Sequence, residues 1–348
     1  MTQMYEKLAM PAEGLRLHLN ENTGGCSDAV LEALRGLTPR DAAIYPDYSD
    51  AIAATAGLLG VDPSWVLLTN GLDEGIFAAA LATLRGPGAT PLESLIVVPA
   101  FDMYAGCSRA AGGEVVEVPL RPDFFFPLDE TLAALTPRTR IVFLTTPHNP
   151  TGLAIPRESI IAIAEAAPQA LIFVDEAYID FGGQTLVEPA LLERYANLVI
   201  GRTFSKAYGL AGLRAGALVA APSTLERIRA CVPPYSINIA AAIGLQAALR
   251  DTSRYSWYLQ EVRESKRLLY EACDGLGLSC LRSEANFVLV NFGGAAKQVV
   301  ASLKARDIYV RDRSGDPGCE GYIRITTGVV AHTQACIDAI EEILCDAR

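Results

Sequence analysis

Thr203-Phe-Ser-Lys-Ala-Tyr-Gly-Leu-Ala-Gly-Leu-Arg214 stands between two apolar, β-branched runs, Leu198–Gly201 and Ala215–Ala220. Runs of that length and composition read as buried strands, so the polar segment between them is a loop at the edge of a sheet. Further runs of the same kind lie at Val66–Thr69, Leu95–Val98, Glu114–Pro119, Ile141–Thr145 and Leu171–Asp175. Ala/Leu-rich segments with helical texture separate several of them, Glu74–Leu84 and Arg157–Ala166 among them. Strands alternating with helices predict an α/β fold with a mostly parallel, seven-stranded sheet and helices on both faces. The runs read as apolar throughout, as strands buried on both faces do.

From about residue 250 the texture changes. A charged amphipathic segment, Arg254–Cys273, leads to strand-like runs at Asn286–Asn291 and Tyr322–Thr326 and a final helix from about His332. Residues 40–250 are expected to form a large domain. Residues 1–39 and 251–348 are expected to form a smaller α+β domain, with a ligand cleft between the two.

The chain has 348 residues, a net charge of −11 and no clustered basic patch, which argues against nucleic acid as a partner. The opening stretch MTQMYEKLAMPAEGLRLHLNEN lacks the basic start and apolar core of a signal peptide, and no run is apolar and long enough to span a bilayer. Eight scattered cysteines without a Cys-x-x-Cys pair, and only three histidines, predict reduced thiols in a cytoplasmic protein and no metal site.

The chemistry gathers where strands end. A lone lysine is usually a surface residue, but Lys206 follows a buried strand and is flanked by hydroxyls and glycines. An amine held in a cleft favours its neutral form and becomes a nucleophile toward carbonyls. Thr203, Ser205 and Arg214 supply donors suited to a phosphate. Asp175 ends the strand Leu171–Asp175, where ligands of open α/β sheets bind, and a carboxylate there suits a protonated pyridine nitrogen. Tyr178 lies three residues on, and Thr146-Pro-His-Asn-Pro-Thr-Gly152 presents Asn149 at the same edge. His148 in that turn reads as structural rather than as a general base. Asn70-Gly-Leu-Asp-Glu74 opens a helix, whose first N–H groups suit an anion. Tyr104, in Pro99-Ala-Phe-Asp-Met-Tyr104, reads as core filler or as a plate for a flat cofactor. An amine, an acid, ring-oxygen donors, an aromatic ring and phosphate donors together match pyridoxal 5′-phosphate (PLP).

With these motifs assembled, the sequence resembles the fold-type I PLP aminotransferases, and within them the histidinol-phosphate aminotransferases. The resemblance runs from Leu19-Asn-Glu-Asn22 through Tyr45-Pro-Asp47 and the motifs above to Tyr322-Ile-Arg-Ile-Thr-Thr-Gly328. It implies that Lys206 forms the Schiff base with the cofactor and Asp175 holds the pyridine nitrogen. It implies further that Asn149 and Tyr178 bind the ring oxygen, and that Tyr104 stacks on the ring. Thr203, Ser205, Arg214 and the backbone around Leu72 and Asp73 would bind the cofactor phosphate. Tyr45 would reach the active site of a partner subunit, implying a homodimer. Arg324 and Arg311 would receive the anionic parts of the substrate, with Asn20 beside them. The implied reaction moves an amino group from histidinol phosphate to 2-oxoglutarate.

One departure stands out. The family motif continues Asn-Glu-Asn-Pro and an aromatic, where this chain has Asn20-Glu-Asn-Thr-Gly-Gly25, so a tyrosine that helps bind substrate phosphate is missing. Competing readings are an aminotransferase for aromatic amino acids, a decarboxylase resembling the threonine-phosphate enzymes, and a non-catalytic PLP-binding regulator. A nucleotide-binding protein is set aside because neither Gly-x-Gly-x-x-Gly nor Gly-x4-Gly-Lys-Ser/Thr is present.

Overall fold

The computed structural model describes residues 11, 13–86, 88 and 90–346. Residues 1–10, on which the signal-peptide reading and the head of the expected smaller domain fall, lie outside the described residues.

The strands run in chain order as β1 (Leu15–Arg16), β2 (Val66–Asn70), β3 (Glu93–Val98), β4 (Glu114–Pro119), β5 (Thr139–Thr145), β6 (Leu171–Asp175), β7 (Leu198–Thr203) and β8 (Ala215–Val219). They continue as β9 (Ser279–Cys280), β10 (Phe287–Asn291), β11 (Ile308–Tyr309), β12 (Arg311–Asp312) and β13 (Tyr322–Thr326). The large sheet has seven strands in the order β2-β8-β7-β6-β5-β3-β4. The pairs β3–β4, β3–β5, β5–β6 and β6–β7 are parallel, while β8 is antiparallel to both β7 and β2.

Side chains alternate across each strand, so one sheet buries two layers. Ile141, Phe143, Phe173, Val199 and Leu218 pack on one face with the helix Gly71–Leu84. Val142, Leu144, Ile172, Val174 and Ile200 pack on the other with the helix Arg157–Ala166. Edge strand β4 departs from the apolar-throughout expectation. Its Glu114, Glu117 and Pro119 are exposed, and charge with proline on an edge discourages pairing with another chain.

A four-stranded antiparallel sheet, β12-β13-β10-β9, forms the second layer system. The helix Thr252–Leu276, longer than the expected Arg254–Cys273, packs Leu269 and Cys273 on it beside Ile337 and Ile340 of the last helix, Val330–Asp346. Strand β1 pairs in parallel with β11, which brings Leu17 into this core. The helix Asp28–Arg35 does not follow β1. Its Val30 packs with Ala241 and Leu245 of the helix Ile239–Arg250, beside the large sheet, so this helix does not group with β1.

Candidate active site

Parallel strands β2, β3, β5, β6 and β7 all end at one edge of the sheet, and antiparallel β8 begins there. That reversal sets Arg214, one residue before β8, beside loops that follow the other strands. A cleft of about 490 Å³ opens at this edge. Its wall carries Lys206, Asp175, Tyr178, Asn149, Tyr104, Thr203, Ser205, Arg214, Leu72 and Asp73 from one side of the cleft. Asn20, Arg311 and Arg324 come from the other. Tyr45 stands apart: it is 76% exposed and stacks on Tyr235 at 4.4 Å between ring centroids.

The phosphate end is built by close backbone packing. Gly71 opens its helix with φ +68°, and a Cβ there would collide with the Arg214 guanidinium. A Cβ at Gly216 of β8 would meet the Leu72 nitrogen at 2.6 Å. Arg214 reaches Asp73 Oδ2 at 2.8 Å, and the Ser205 backbone N–H donates to Thr203 Oγ1 at 3.2 Å. The start of a 14-residue helix, two hydroxyls and a guanidinium thus converge, a donor set suited to a phosphate.

Asp175 is buried, accepting from the Tyr104 hydroxyl at 2.6 Å and the Ala177 N–H at 2.9 Å. Behind it, Arg202 binds Glu176 and Asp180 at 3.2 and 3.0 Å and so braces the loop that carries Tyr178. Burial pushes the Asp175 carboxyl up to about 6 against those two hydrogen bonds. A buried acid held by neutral donors calls for a cation, and a protonated ring nitrogen supplies one.

Tyr104 lines the cleft and also binds the acid. Its ring stacks on Phe143 at 4.8 Å, and its hydroxyl also meets Thr145 Oγ1 at 2.8 Å, so the described contact it makes is to the acid's side. Asn20 lines the cleft as well. Its Nδ2 donates to the Tyr178 hydroxyl at 3.1 Å, its Oδ1 accepts from Thr326 at 3.1 Å, and its carbonyl accepts from Asn286 at 3.1 Å. It therefore also positions Tyr178 from its place on the cleft wall. His148 is buried with Nδ1 on Thr151 at 3.0 Å and is driven down to about 4 by burial, which matches its structural reading.

Lys206 Nζ donates to the Leu19 carbonyl at 2.9 Å. Enclosure and the nearby Arg324 pull its amine down to about 8, so a substantial neutral fraction exists near neutral pH. Arg324 donates to Asn149 Oδ1 at 2.5 Å and to the His18 carbonyl at 2.6 Å. Arg311 and Arg324 are directly opposite across β12 and β13, and like charges so placed repel unless an anion joins them. Arg313, two residues past Arg311, is on the same wall. Gly24 stands at the position of the missing family aromatic, close against Trp257, and Thr23, at the proline position, accepts the Val329 N–H at 2.8 Å.

The sequence reading passed over His18. The alternation Leu15-Arg-Leu-His-Leu-Asn20 marked it, since a period of two sends Arg16, His18 and Asn20 to one side.

Residues 12–342 match the aminotransferase class I and II family. This chain belongs to the class I and II aminotransferases. It is 35% identical, over 95% of its length and 93% of the other, to histidinol-phosphate aminotransferase 1 of Carboxydothermus hydrogenoformans. The histidinol-phosphate aminotransferase of Anoxybacillus flavithermus is 34% identical over 96% of this chain and 90% of that one. The structure of the Sinorhizobium meliloti enzyme in complex with PLP superposes with a TM-score of 0.85 at 26% identity, covering 96% of this chain and 92% of that one. The aminotransferase is accordingly a PLP enzyme of fold type I. No helix among the described residues is long and apolar enough to cross a membrane.

The donor set fits the cofactor, and Asp175 gives a measurement that does not depend on activity. Its folded value of about 6 lies above the ordinary 3.8. The stability this group contributes is therefore fully present below pH ~4 and is lost as pH rises through ~6, about 3 kcal/mol in all. Urea unfolding of the cofactor-free protein is expected to show that loss, and Asp175→Asn is expected to flatten it. An unchanged pH slope in the variant would show that the acid is not held protonated.

Proposed function

We propose that this aminotransferase takes its amino group from L-histidinol phosphate and delivers it to 2-oxoglutarate, in the cytoplasm, as a step of histidine biosynthesis. The observation that carries the reading is the pairing of Arg311 with Arg324, beside Arg313, on the wall of the cleft that holds Lys206. A dianionic phosphate suits that excess of positive charge better than an uncharged aromatic side chain does. The relatives named for histidinol phosphate, at 33–35% identity, support the same donor over the aromatic and decarboxylase alternatives.

In this reading PLP, when bound, supplies the electron sink that makes the donor's α-proton removable. Asp175 faces its ring nitrogen, and Asn149 and Tyr178 its ring oxygen. Thr203, Ser205, Arg214 and the N–H groups at Leu72 and Asp73 hold its phosphate. Lys206 Nζ, freed as the donor binds, would take the proton from the substrate's α-carbon and pass it to the cofactor's C4′. Arg324 and Arg311 fix the donor's anionic end, so the reacting bond stays near the amine. Steady-state rates with histidinol phosphate, phenylalanine, tyrosine and histidine test the donor, with carbon dioxide release followed in parallel. Preference for an unphosphorylated aromatic acid, or decarboxylation, would overturn the reading.

The proposal includes a homodimer in which the exposed Tyr45 reaches the cofactor phosphate of the second subunit. Sedimentation is expected to give a dimer, and Tyr45→Phe to weaken cofactor binding about tenfold, the worth of one hydrogen bond to a charged group. A monomer with unaltered cofactor affinity in the variant would remove this part.

A further inference from the structure

Beyond the paired arginines, one buried polar side chain on the cleft wall has no role in the reading above. His18 is 5% exposed, and neither ring nitrogen has a hydrogen-bond partner. Burying a polar group without a partner is unfavourable, and an apolar side chain of similar shape would avoid that cost. The backbone gives the residue a fixed place. The His18 carbonyl accepts from Arg324 at 2.6 Å, and the next carbonyl, of Leu19, accepts from Lys206 at 2.9 Å. On the cleft wall it accompanies Arg311, Arg313 and Arg324. Tyr309 is its aromatic neighbour, 6.1 Å away between ring centroids.

We propose that His18 is a specificity-determining residue that donates a ring N–H to the phosphate of the amino donor. The proposal rests on the phosphorylated donor argued above and assigns that donor a partner not yet counted. Burial and the guanidiniums of Arg16, Arg324 and Arg311 hold the imidazole neutral, with its value lowered to about 4. A neutral ring carries one N–H donor and adds no further positive charge to three arginines. Arg313 already pairs with Asp316, which leaves Arg311 and Arg324 as the guanidiniums without a carboxylate partner on this wall. A carboxylate has two oxygens, which one guanidinium fork can satisfy. A phosphate monoester has three terminal oxygens, and the ring N–H of His18 suits the one that the forks leave over.

The test compares the holoenzyme with His18→Leu and His18→Gln, using histidinol phosphate, unphosphorylated histidinol and 2-oxoglutarate. In His18→Leu the KM for histidinol phosphate is expected to rise about tenfold or more, as for a lost hydrogen bond to a charged acceptor. The KM for 2-oxoglutarate, the rate with histidinol and kcat are expected to stay within about twofold, as expected when binding alone is lost. His18→Gln, which keeps an N–H, is expected to recover part of the discrimination. Equal losses with phosphorylated and unphosphorylated donors would overturn the proposal. A wild-type enzyme that does not use histidinol phosphate at all would instead overturn the donor assignment. Nitrogen-15 imidazole spectra of the wild-type holoenzyme provide a reading that no variant can spoil. On adding histidinol phosphate, one His18 ring N–H is expected to shift and become protected from exchange, and an unmoved signal would count against the proposal.

Discussion

Lys206→Ala is expected to lower transamination by about 10⁴-fold or more, the combined worth of a positioned base and a nucleophile. The amine has the features such a role needs. It is enclosed, pulled down to about 8, and held at 2.9 Å from the Leu19 carbonyl rather than against a carboxylate. A second readout separates a lost base from a lost fold. After borohydride reduction and denaturation, cofactor should remain attached to the wild-type peptide containing Lys206 and should wash out of the variant. Added small amines are expected to restore part of the variant's rate, since the cavity left at residue 206 admits them. Full turnover in Lys206→Ala, or covalent cofactor on another peptide, would remove the lysine from the chemistry.

Asp175→Asn should give the second-largest loss, about 10²-fold in kcat, from replacing a charged hydrogen bond at the ring nitrogen by a neutral one. The substitution preserves shape, so packing against Val174 and Ala177 is little changed and the loss reports charge. Tyr104→Phe provides the control. It removes the hydroxyl that binds Asp175 at 2.6 Å but leaves the carboxylate in place, and about a tenfold loss is expected. If Tyr104→Phe cost as much as Asp175→Asn, the carboxylate's charge would not be the deciding element. If Asp175→Asn were silent, the acid would be only a structural partner of Tyr104 and Ala177.

The parts of this site that the sequence showed are those set by local contrast. Lys206, Asp175 and Asn149 are polar residues at or within four residues of the ends of apolar strands, and a strand's end projects into a sheet-edge cleft whatever the rest of the chain does. Arg214 was legible as a polar residue just before the strand Ala215–Ala220, though the antiparallel direction of that strand was not. What stayed hidden depends on residues far apart in the chain. Tyr104 could not be aimed from its motif, because Phe143 and Asp175 decide which way its ring lies. The contacts of Asn20 to Tyr178, Thr326 and Asn286 could not be read, because those partners are supplied from across the chain. His18 had no local mark beyond its alternation with leucines. The helix Asp28–Arg35 was grouped with its sequence neighbours, whereas an apolar face seeks whichever core is nearest in space.

The strap Leu17–Asn20 has a consequence for how the enzyme is made. Its carbonyl bond from His18 to Arg324 joins residues 306 apart, and β1 finds its partner only at β11. A chain still emerging from the ribosome therefore carries its reactive amine and its acid long before the guanidinium that orients a substrate exists. Vectorial synthesis builds the electron-sink half of the site first and the substrate-receiving half last. Termination between residues 206 and 324 yields a protein with the amine and the strap but without the arginine that anchors the strap, so full-length translation is itself a checkpoint on activity.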